Sequence, residues 1–426
     1  MISNLQARKV AILGFNRIPF ARSNTAYAEA GNQDMMGAAL KGLIERYHLQ
    51  GELIGEVAGG AVIKHSREIN LMRECVLGSS LDAATPACDI MQACNTGIES
   101  AIYIANKISL GQIDSGIAGG VDSASDVPLV LGEKLRKVLL KAGRAKSFGH
   151  KFRQFIRIRP ADLKPVPPLN AEPRTGLSMG GHTEFTARYY NISRVEQDQY
   201  ALASHQKMAK AYDEGFFNGM MTPFQGLTYD NNLRRDTSLE KLTRLKPSFD
   251  KLDGTLTAGN SSPLTDGASC ILLGSEDWAK KKNLAVLSYL SFAEVAAIEY
   301  IEHKHNLLMA PVYATWNILR KAGLTFQDFD FYEIHEAFAA QVLAFLKILA
   351  QENLMREFGY DHALGKLDFS KLNVHGSSLA AGHPFASTGG RILATIAKLL
   401  FEKGSGRGFI SVCAAGGQGV TVILEK

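Results

Sequence analysis

The sequence predicts an α/β protein built from two similar halves with a segment inserted between them, on three observations. Apolar runs of strand length, "KVAILG" near the start, "SGIAGGV" at 115, "ASCILLG" at 268 and "GFISVC" at 408, alternate with helix-like stretches. Their unbroken apolar character is that of strands buried on both faces. The second observation is an internal echo. "CNTGIESAIYIANKISL" runs into "SGIAGGV" in the first half, and "ASTGGRILATIAKLL" into "FISVCAAGG" near the end. Each is a Thr-Gly helix start, a helix, a strand and a glycine pair. The third is a change of texture over residues 126–247. From Glu133 to Pro160 there are ten Lys or Arg against one acid, followed by the proline-rich "KPVPPLNAEPRTG".

A chain of 426 residues can bury a large core and form two or three domains. Its net charge of +5, from 47 basic and 42 acidic residues, is too mild for a general nucleic-acid binder, although it suits a phosphorylated small substrate. The five cysteines, Cys75, Cys88, Cys94, Cys270 and Cys413, are odd in number and lack CxxC spacing. That disfavours a disulfide framework and a zinc ribbon, so no metal is expected and a reducing, cytoplasmic setting is. No apolar run reaches the roughly 18 residues that span a bilayer. Arg8, Lys9, Arg17 and Arg22 precede the first acid, Glu29, and imitate a transit peptide, but "RKVAILGFNRIPF" reads as the buried strand that opens the fold.

Taken in chain order, the first reactive candidate is Cys94. After it, Ile98, Ala101, Ile102, Ala105 and Ile108 fall on one helical stripe, which puts Cys94 at or just before a helix N-terminus. Unpaired N–H groups there favour a thiolate. A small buried hydrophobe is an equally good reading of a single cysteine. The basic stretch "LRKVLLKAGRAKSFGHKFRQFIRI" mixes apolar residues with its charges. It suits a phosphate group, a membrane surface or a partner subunit, and equally a solvated helix face. "TLTAGNSSPLTDGAS" gives a small-residue loop, Thr257 to Ser269, against which an extended ligand can lie. It lacks GxGxxG and P-loop spacing, which argues against a nucleotide site.

"YEIHEAFAAQ" resembles a zinc-protease motif but has Ala339 where the second histidine belongs. The helix after it buries Phe338, Val342, Phe345, Leu346 and Leu349, leaving His335 near its start. In "NVHGSSLAAGHPFASTGG", His383 sits in an exposed, constrained Gly-His-Pro turn before another helix. In "VCAAGGQG", Cys413 ends an apolar strand, where α/β sheets place ligands, although a core role is the commoner fate of such a cysteine.

Together these motifs resemble the thiolase family nearly end to end: the opening strand with "RIPF", the Cys94 segment, "TAGNSSPLTDGAS", "HEAF", "GHPFASTGGR" and "CAAGGQG". The resemblance implies the five-layered αβαβα fold, with residues 1–125 and 248–283 as the N-terminal half, 126–247 as an inserted loop domain and 284–426 as the C-terminal half. It matches Cys94 to the acylated nucleophile, His383 to the histidine that activates it and Cys413 to the general acid and base. His335 stands where many thiolases have Asn, as in the branch containing subunits of fatty-acid oxidation complexes.

The implied chemistry is acyl transfer between 3-ketoacyl-CoA and CoA, in cleavage or in condensation, with coenzyme A as substrate and no tightly bound cofactor. His335 and His383 would hold the thioester oxygen, and the backbone N–H groups of Cys94 and Ala415 the tetrahedral oxyanion. Met179, Ala258, Ser262, Ala337 and Phe338 are the implied CoA contacts. The resemblance also implies a homodimer or homotetramer and a hydratase/dehydrogenase partner subunit, while residues 133–160 offer a peripheral membrane contact. Cys75, Cys88 and Cys270 match no catalytic position and read as core thiols.

Two positions depart from the family. Ala415 replaces a glycine and so requires a backbone there that accepts a Cβ. His375 replaces a common asparagine, a change that bears on the hydrogen bonds around His383. Two other readings compete. A ketoacyl synthase-like condensing enzyme typically needs a second histidine or asparagine where Cys413 stands. A noncatalytic acyl-CoA-binding or scaffold subunit would be expected to lose reactive residues, yet all four positions are filled.

Overall fold

The computed structural model describes residues 7–156 and 158–426. In chain order the first half contains β1 (Val10–Arg17), β2 (Ala21–Arg22), α1 (Asn32–Tyr47), β3 (Glu56–Gly59), α2 (Leu71–Leu77), β4 (Ala87–Asp89), α3 (Thr96–Ser109) and β5 (Ser115–Asp122). Then come α4 (Glu133–Arg144), α5 (Phe148–Phe155), α6 (Met179–Tyr189), α7 (Arg194–Asp213) and α8 (Leu239–Thr243). The remainder is β6 (Thr265–Ser275), α9 (Glu276–Lys282), β7 (Ser288–Ala297), α10 (Pro311–Ala322), β8 (Phe331–Ile334), α11 (Ala339–Ala350), α12 (Glu352–Glu357), α13 (Ser378–Ala381), α14 (Thr388–Lys403), β9 (Arg407–Ala414) and β10 (Gln418–Glu425).

The strands run β4-β3-β5-β6-β1 and then β7-β10-β9-β8, with β2 beside β6. Among the described residues the strand pairing that joins the two groups is short, Ala11 with Tyr289 and Ile12 with Ser288. The order β3-β5-β6-β1 is repeated as β8-β9-β10-β7, parallel in the first pair and antiparallel after it. The repeated helix–strand pairs are α3–β5 and α14–β9, the segments whose sequences echo one another.

Helices α3 and α14 touch each other and lie between the two groups of strands. Helices α1, α2 and α9 cover the outer face of the first, and α10 that of the second with α11 packed beside it, giving α-β-α-β-α layers. Because side chains alternate along a strand, each strand feeds two cores. Val10 and Ile12 face the central core with α3, while Ala11 and Leu13 face α1. Ile410 and Val412 likewise face the central core, and Phe409 and Cys413 the outer one. Burial on both sides is why these strands read as continuous apolar runs.

The stripe Ile98, Ala101, Ile102, Ala105 and Ile108 is buried in the central core. Each fully buried isoleucine there contributes roughly 1.5–3 kcal/mol. Glycines let the starts of α3 and α14 approach through main chain alone. A Cβ on Gly97 would lie 2.6 Å from the Ala386 carbonyl oxygen, and one on Gly389 2.5 Å from the Ile98 nitrogen.

β5 and β6 pair directly, Ser115 with Gly274 through Asp122 with Gly267, although α4 to α8 lie between them in sequence. Of those helices, α6 and α7 pack on α11, and α7 on α13. The chain from Thr265 onward, expected to be loop, is the start of β6, so the small-residue loop ends at Leu264. Cys75 and Cys270 are buried as expected, but Cys88 is only half-buried because β4 is an edge strand. Among the described residues no helix is long and apolar enough to cross a membrane.

Candidate active site

Cys94 is delivered by a sharp turn between β4 and α3. Ala93 takes a left-handed backbone, φ 49°. The Thr96 hydroxyl accepts from the Gln92 N–H at 2.9 Å and donates to the Ala93 carbonyl at 2.8 Å. Holding a non-glycine residue there costs on the order of 1–3 kcal/mol, which the Thr96 bridge and the packing of α3 offset. Nothing in the sequence marks Ala93, because alanine carries no signal for that conformation. The expectation that the helix start favours a thiolate is corrected: burial pushes the Cys94 thiol up to about 12. The Ala415 and Cys94 N–H groups aimed at the sulfur offset this only in part, and nearby Asp122 adds to it. At rest Cys94 is a thiol.

A histidine ring is in contact with it. His383 Nε2 lies 3.2 Å from Cys94 Sγ, and Nδ1 lies 2.6 Å from the Thr388 hydroxyl at the start of α14. The His383 N–H donates to Thr265 Oγ1 at 3.1 Å. Gly382 precedes it with φ 100°, and a Cβ there would also meet Thr265, at 2.7 Å. The turn is not exposed as expected: His383 is 5% accessible because β6 and α14 close over it. Burial, reinforced by Arg391, pushes its pKa down, so the ring is neutral and able to accept a proton.

His335 follows β8, and its N–H donates to the Ser411 carbonyl at 2.9 Å, continuing the pairing with β9. Its ring lies 4.1 Å from that of His383, centroid to centroid, and Nδ1 is 2.8 Å from Ser378 Oγ. Nε2 is buried without a protein partner. Glu336 was not singled out from sequence, yet it braces this corner. It accepts from Ser204 Oγ at 2.7 Å, the Leu379 N–H at 3.0 Å and Asn373 Nδ2 at 2.8 Å.

Cys413 is buried near the end of β9, its thiol pushed well up by burial and by the neighbouring Cys94. Ala415 keeps a negative φ, and the left-handed positions fall on Gly416 (φ 78°) and Gly417 (φ 68°). A Cβ at 415 is therefore unstrained. The turn is held from the middle of the chain: Glu172, 4% accessible, accepts from the Gly416 N–H and from the Tyr300 hydroxyl, each at 2.7 Å. His375 makes no contact with His383. Its ring packs on Phe216 with centroids 3.9 Å apart.

A cleft of about 630 Å³ is lined by Ala258 and Ser262 from the small-residue loop and by Phe249, Arg22, Arg234 and Lys241. The Ser262 N–H and hydroxyl donate to the Ala337 carbonyl at 3.0 and 2.9 Å, and Phe338 meets Phe249 edge-on at 5.8 Å. Ala337 and Phe338 thus back the cleft wall. Met179 starts α6 and packs half-buried against the second core, outside the cleft lining. Arg22 lies far in sequence from Arg234 and Lys241, and their meeting was not legible there. A larger cavity of about 920 Å³, at Arg8, Tyr289 and Arg407, shares no residue with this site.

A thiol against a neutral imidazole, with a second thiol and backbone donors, is gathered where the duplicated halves of an α/β acyltransferase meet. The chain belongs to the thiolase family: the thiolase N-terminal domain matches residues 10–277 and the thiolase C-terminal domain residues 286–426. It is 40% identical to a 3-ketoacyl-CoA thiolase of Shewanella baltica strain OS185, over all of this chain and 98% of that protein. The acetyl-CoA acetyltransferase of Bacillus anthracis superposes with a TM-score of 0.83 at 28% identity, covering 99% of this chain and 100% of the other. Human mitochondrial 3-ketoacyl-CoA thiolase does so at 0.81 and 30%, covering 98% and 99%.

Proposed function

We propose that this chain cleaves 3-ketoacyl-CoA with free CoA, giving acetyl-CoA and an acyl-CoA two carbons shorter, and runs the reverse condensation through the same intermediates. The observation that carries this reading is the 3.2 Å contact of His383 Nε2 with Cys94 Sγ. His383 takes the Cys94 proton as the sulfur attacks the 3-keto carbon. The bond between the α and β carbons breaks, and Cys413 protonates the acetyl-CoA enolate. Cys413, now a thiolate, takes the proton of incoming CoA, whose sulfur resolves the Cys94 acyl-enzyme. Cys94 recovers its proton from His383.

The charge that develops on oxygen meets two sets of donors. His335 and His383 serve the thioester oxygen of the departing acetyl-CoA. The N–H groups of Cys94 and Ala415 serve the tetrahedral oxyanion on Cys94, a role supported by their aim at the sulfur. Each donor of this kind contributes roughly 3 kcal/mol to the transition state. CoA is read into the cleft along Ala258 and Ser262, its phosphates toward Arg22, Arg234 and Lys241. The names of the relatives support CoA thioesters as substrates.

Residues 126–247 are read as a segment inserted into the first half, supported by the direct pairing of β5 with β6 around them. On α5, Phe148, Phe152 and Phe155 are exposed, with Ile156 after it, beside Lys141, Arg144, Lys146, Lys151 and Arg153. That mixture supports a peripheral contact with an anionic bilayer. Five unpaired cysteines support a reducing compartment such as the cytoplasm.

The test is CoA-dependent cleavage of 3-ketoacyl-CoAs from short to long chains, with Cys94→Ser as control. Turnover that vanishes in the control is expected. Cys94→Ser with full turnover would refute the acyl-enzyme, and binding of acyl-CoA without turnover at any length would refute the activity. Charge reversal at Lys141, Arg144, Lys146 and Lys151 is expected to abolish partition onto anionic vesicles, and unchanged partition would refute the membrane contact.

A further inference from the structure

The side chains behind His335 fix where its proton sits. Arg391, on α14 and 3% accessible, pairs through Nη1 with Glu333 Oε1 at 3.0 Å. Its Nη2 donates to Ser377 Oγ at 2.8 Å and to Ser378 Oγ at 3.0 Å. A guanidinium donates only and is not deprotonated in proteins, so both serine oxygens act as acceptors there. Each hydroxyl proton must then go elsewhere. That of Ser377 goes to Glu333 Oε1 at 2.7 Å. Ser378 Oγ has one remaining partner, Nδ1 of His335 at 2.8 Å.

The Ser378 hydroxyl therefore donates to Nδ1, and a neutral ring whose Nδ1 accepts carries its proton on Nε2. Complete burial, with His383 and Arg391 alongside, lowers the pKa of His335 well below its ordinary value and keeps the ring neutral. Nε2 is the atom left buried and unpartnered. The ring 4.1 Å away is set the opposite way. To take the Cys94 proton, His383 must present a bare Nε2, and its Nδ1–H then donates to the Thr388 hydroxyl.

We propose that Arg391, through the hydroxyl of Ser378, locks His335 in the Nε2–H tautomer, so that two neighbouring histidines hold opposite tautomers, one as hydrogen-bond donor and one as base. Arg391 and Ser378 are positioning residues, acting on substrate oxygen only through His335. The assignment of what the donor serves rests on the thiolase reading of the site. The tautomer itself does not.

The experiment is long-range proton–nitrogen correlation on the full chain labelled with ¹⁵N-histidine, with the His335 signals identified by their loss in His335→Asn. The expected pattern is a protonated Nε2 and a bare Nδ1, unchanged between about pH 6 and 8. A protonated Nδ1, or an imidazolium, would overturn the proposal in the unsubstituted protein, whatever its activity. Ser378→Ala is expected to mix the tautomers and lower kcat by on the order of tenfold or more, with KM for CoA little changed. Ser378→Thr, which restores a hydroxyl, is expected to recover both.

The double variant Ser378→Ala/His335→Asn should be no slower than His335→Asn alone, because the serine acts through that ring. An unchanged tautomer in Ser378→Ala, or additive losses in the double variant, would overturn the relay. A protein that shows the expected tautomer but no thiolysis would instead sink the functional reading.

Discussion

Replacing Glu172 by alanine tests whether the middle segment helps to build the catalytic turn. Its carboxylate accepts the Gly416 N–H and the Tyr300 hydroxyl, each at 2.7 Å, in a site where only 4% of the residue is accessible. Leaving the buried Tyr300 hydroxyl unpaired costs about 1–3 kcal/mol, while water can reach the N–H of exposed Gly416, so a loss of roughly 1–3 kcal/mol of stability is expected. Gly416 is one peptide unit from the Ala415 N–H that points at Cys94. If the turn relaxes enough to withdraw that donor, about 3 kcal/mol of transition-state stabilisation goes with it, close to a hundredfold in kcat. Glu172→Gln keeps an acceptor for Gly416 and a donor toward Tyr300, and should stay within a few fold of the parent. Steady-state thiolysis, run well below each variant's melting temperature, gives kcat and the KM for CoA. A folded Glu172→Ala variant whose kcat is within twofold of the parent would refute this account of the turn.

Alkylation of Cys94 by iodoacetamide, followed peptide by peptide, should be slow at neutral pH and rise steadily with pH, since burial lifts the thiol to about 12. A plateau already reached below pH 7 would contradict that ordering of Cys94 and His383. Cys413→Ala should still acylate at Cys94 but turn over at least about a hundredfold more slowly, and full thiolysis by this variant would remove Cys413 as the acid. Gly97→Ala brings a Cβ to 2.6 Å from the Ala386 carbonyl and should cost about 1–3 kcal/mol in urea unfolding. Buried Asp122 accepts from the Val62, Ile63 and Ala386 N–H groups, and burial lifts its carboxyl from an ordinary 3.8 to about 7. The native state therefore binds the extra proton between these values, and stability contributed by Asp122 falls as pH rises from about 4 to 7. Asp122→Asn should lose that component, so parent stability minus variant stability, from urea melts, should decline across the window and flatten above it.

Much of this was legible because buried strands and helix starts leave local marks. The stripe after Cys94 announced α3, and the strand runs announced a sheet buried on both faces. The echo between α3–β5 and α14–β9 announced the duplicated strand order. His335, His383 and Cys413 were found at the ends of such elements. What escaped depends on contacts between distant residues or on conformations their residue type does not advertise. Ala93 holds a left-handed backbone without being glycine. Glu172 reaches Gly416 across 244 positions, and Arg391 reaches Glu333 across 58. Protonation was misread at Cys94 because a helix start is visible in sequence while the desolvation that outweighs it is not.

The main-chain contact at Gly97 and Gly389 bears on how such a chain can drift over generations. Where side chains meet, every substitution resets a distance. Here the starts of α3 and α14 meet backbone to backbone, so the gap is set by the dimensions of the peptide unit, which no substitution alters. Side chains elsewhere in the cores are then free to turn over as long as those glycines persist. The separation of Cys94 from His383 then rests on main chain rather than on the side chains packed around it.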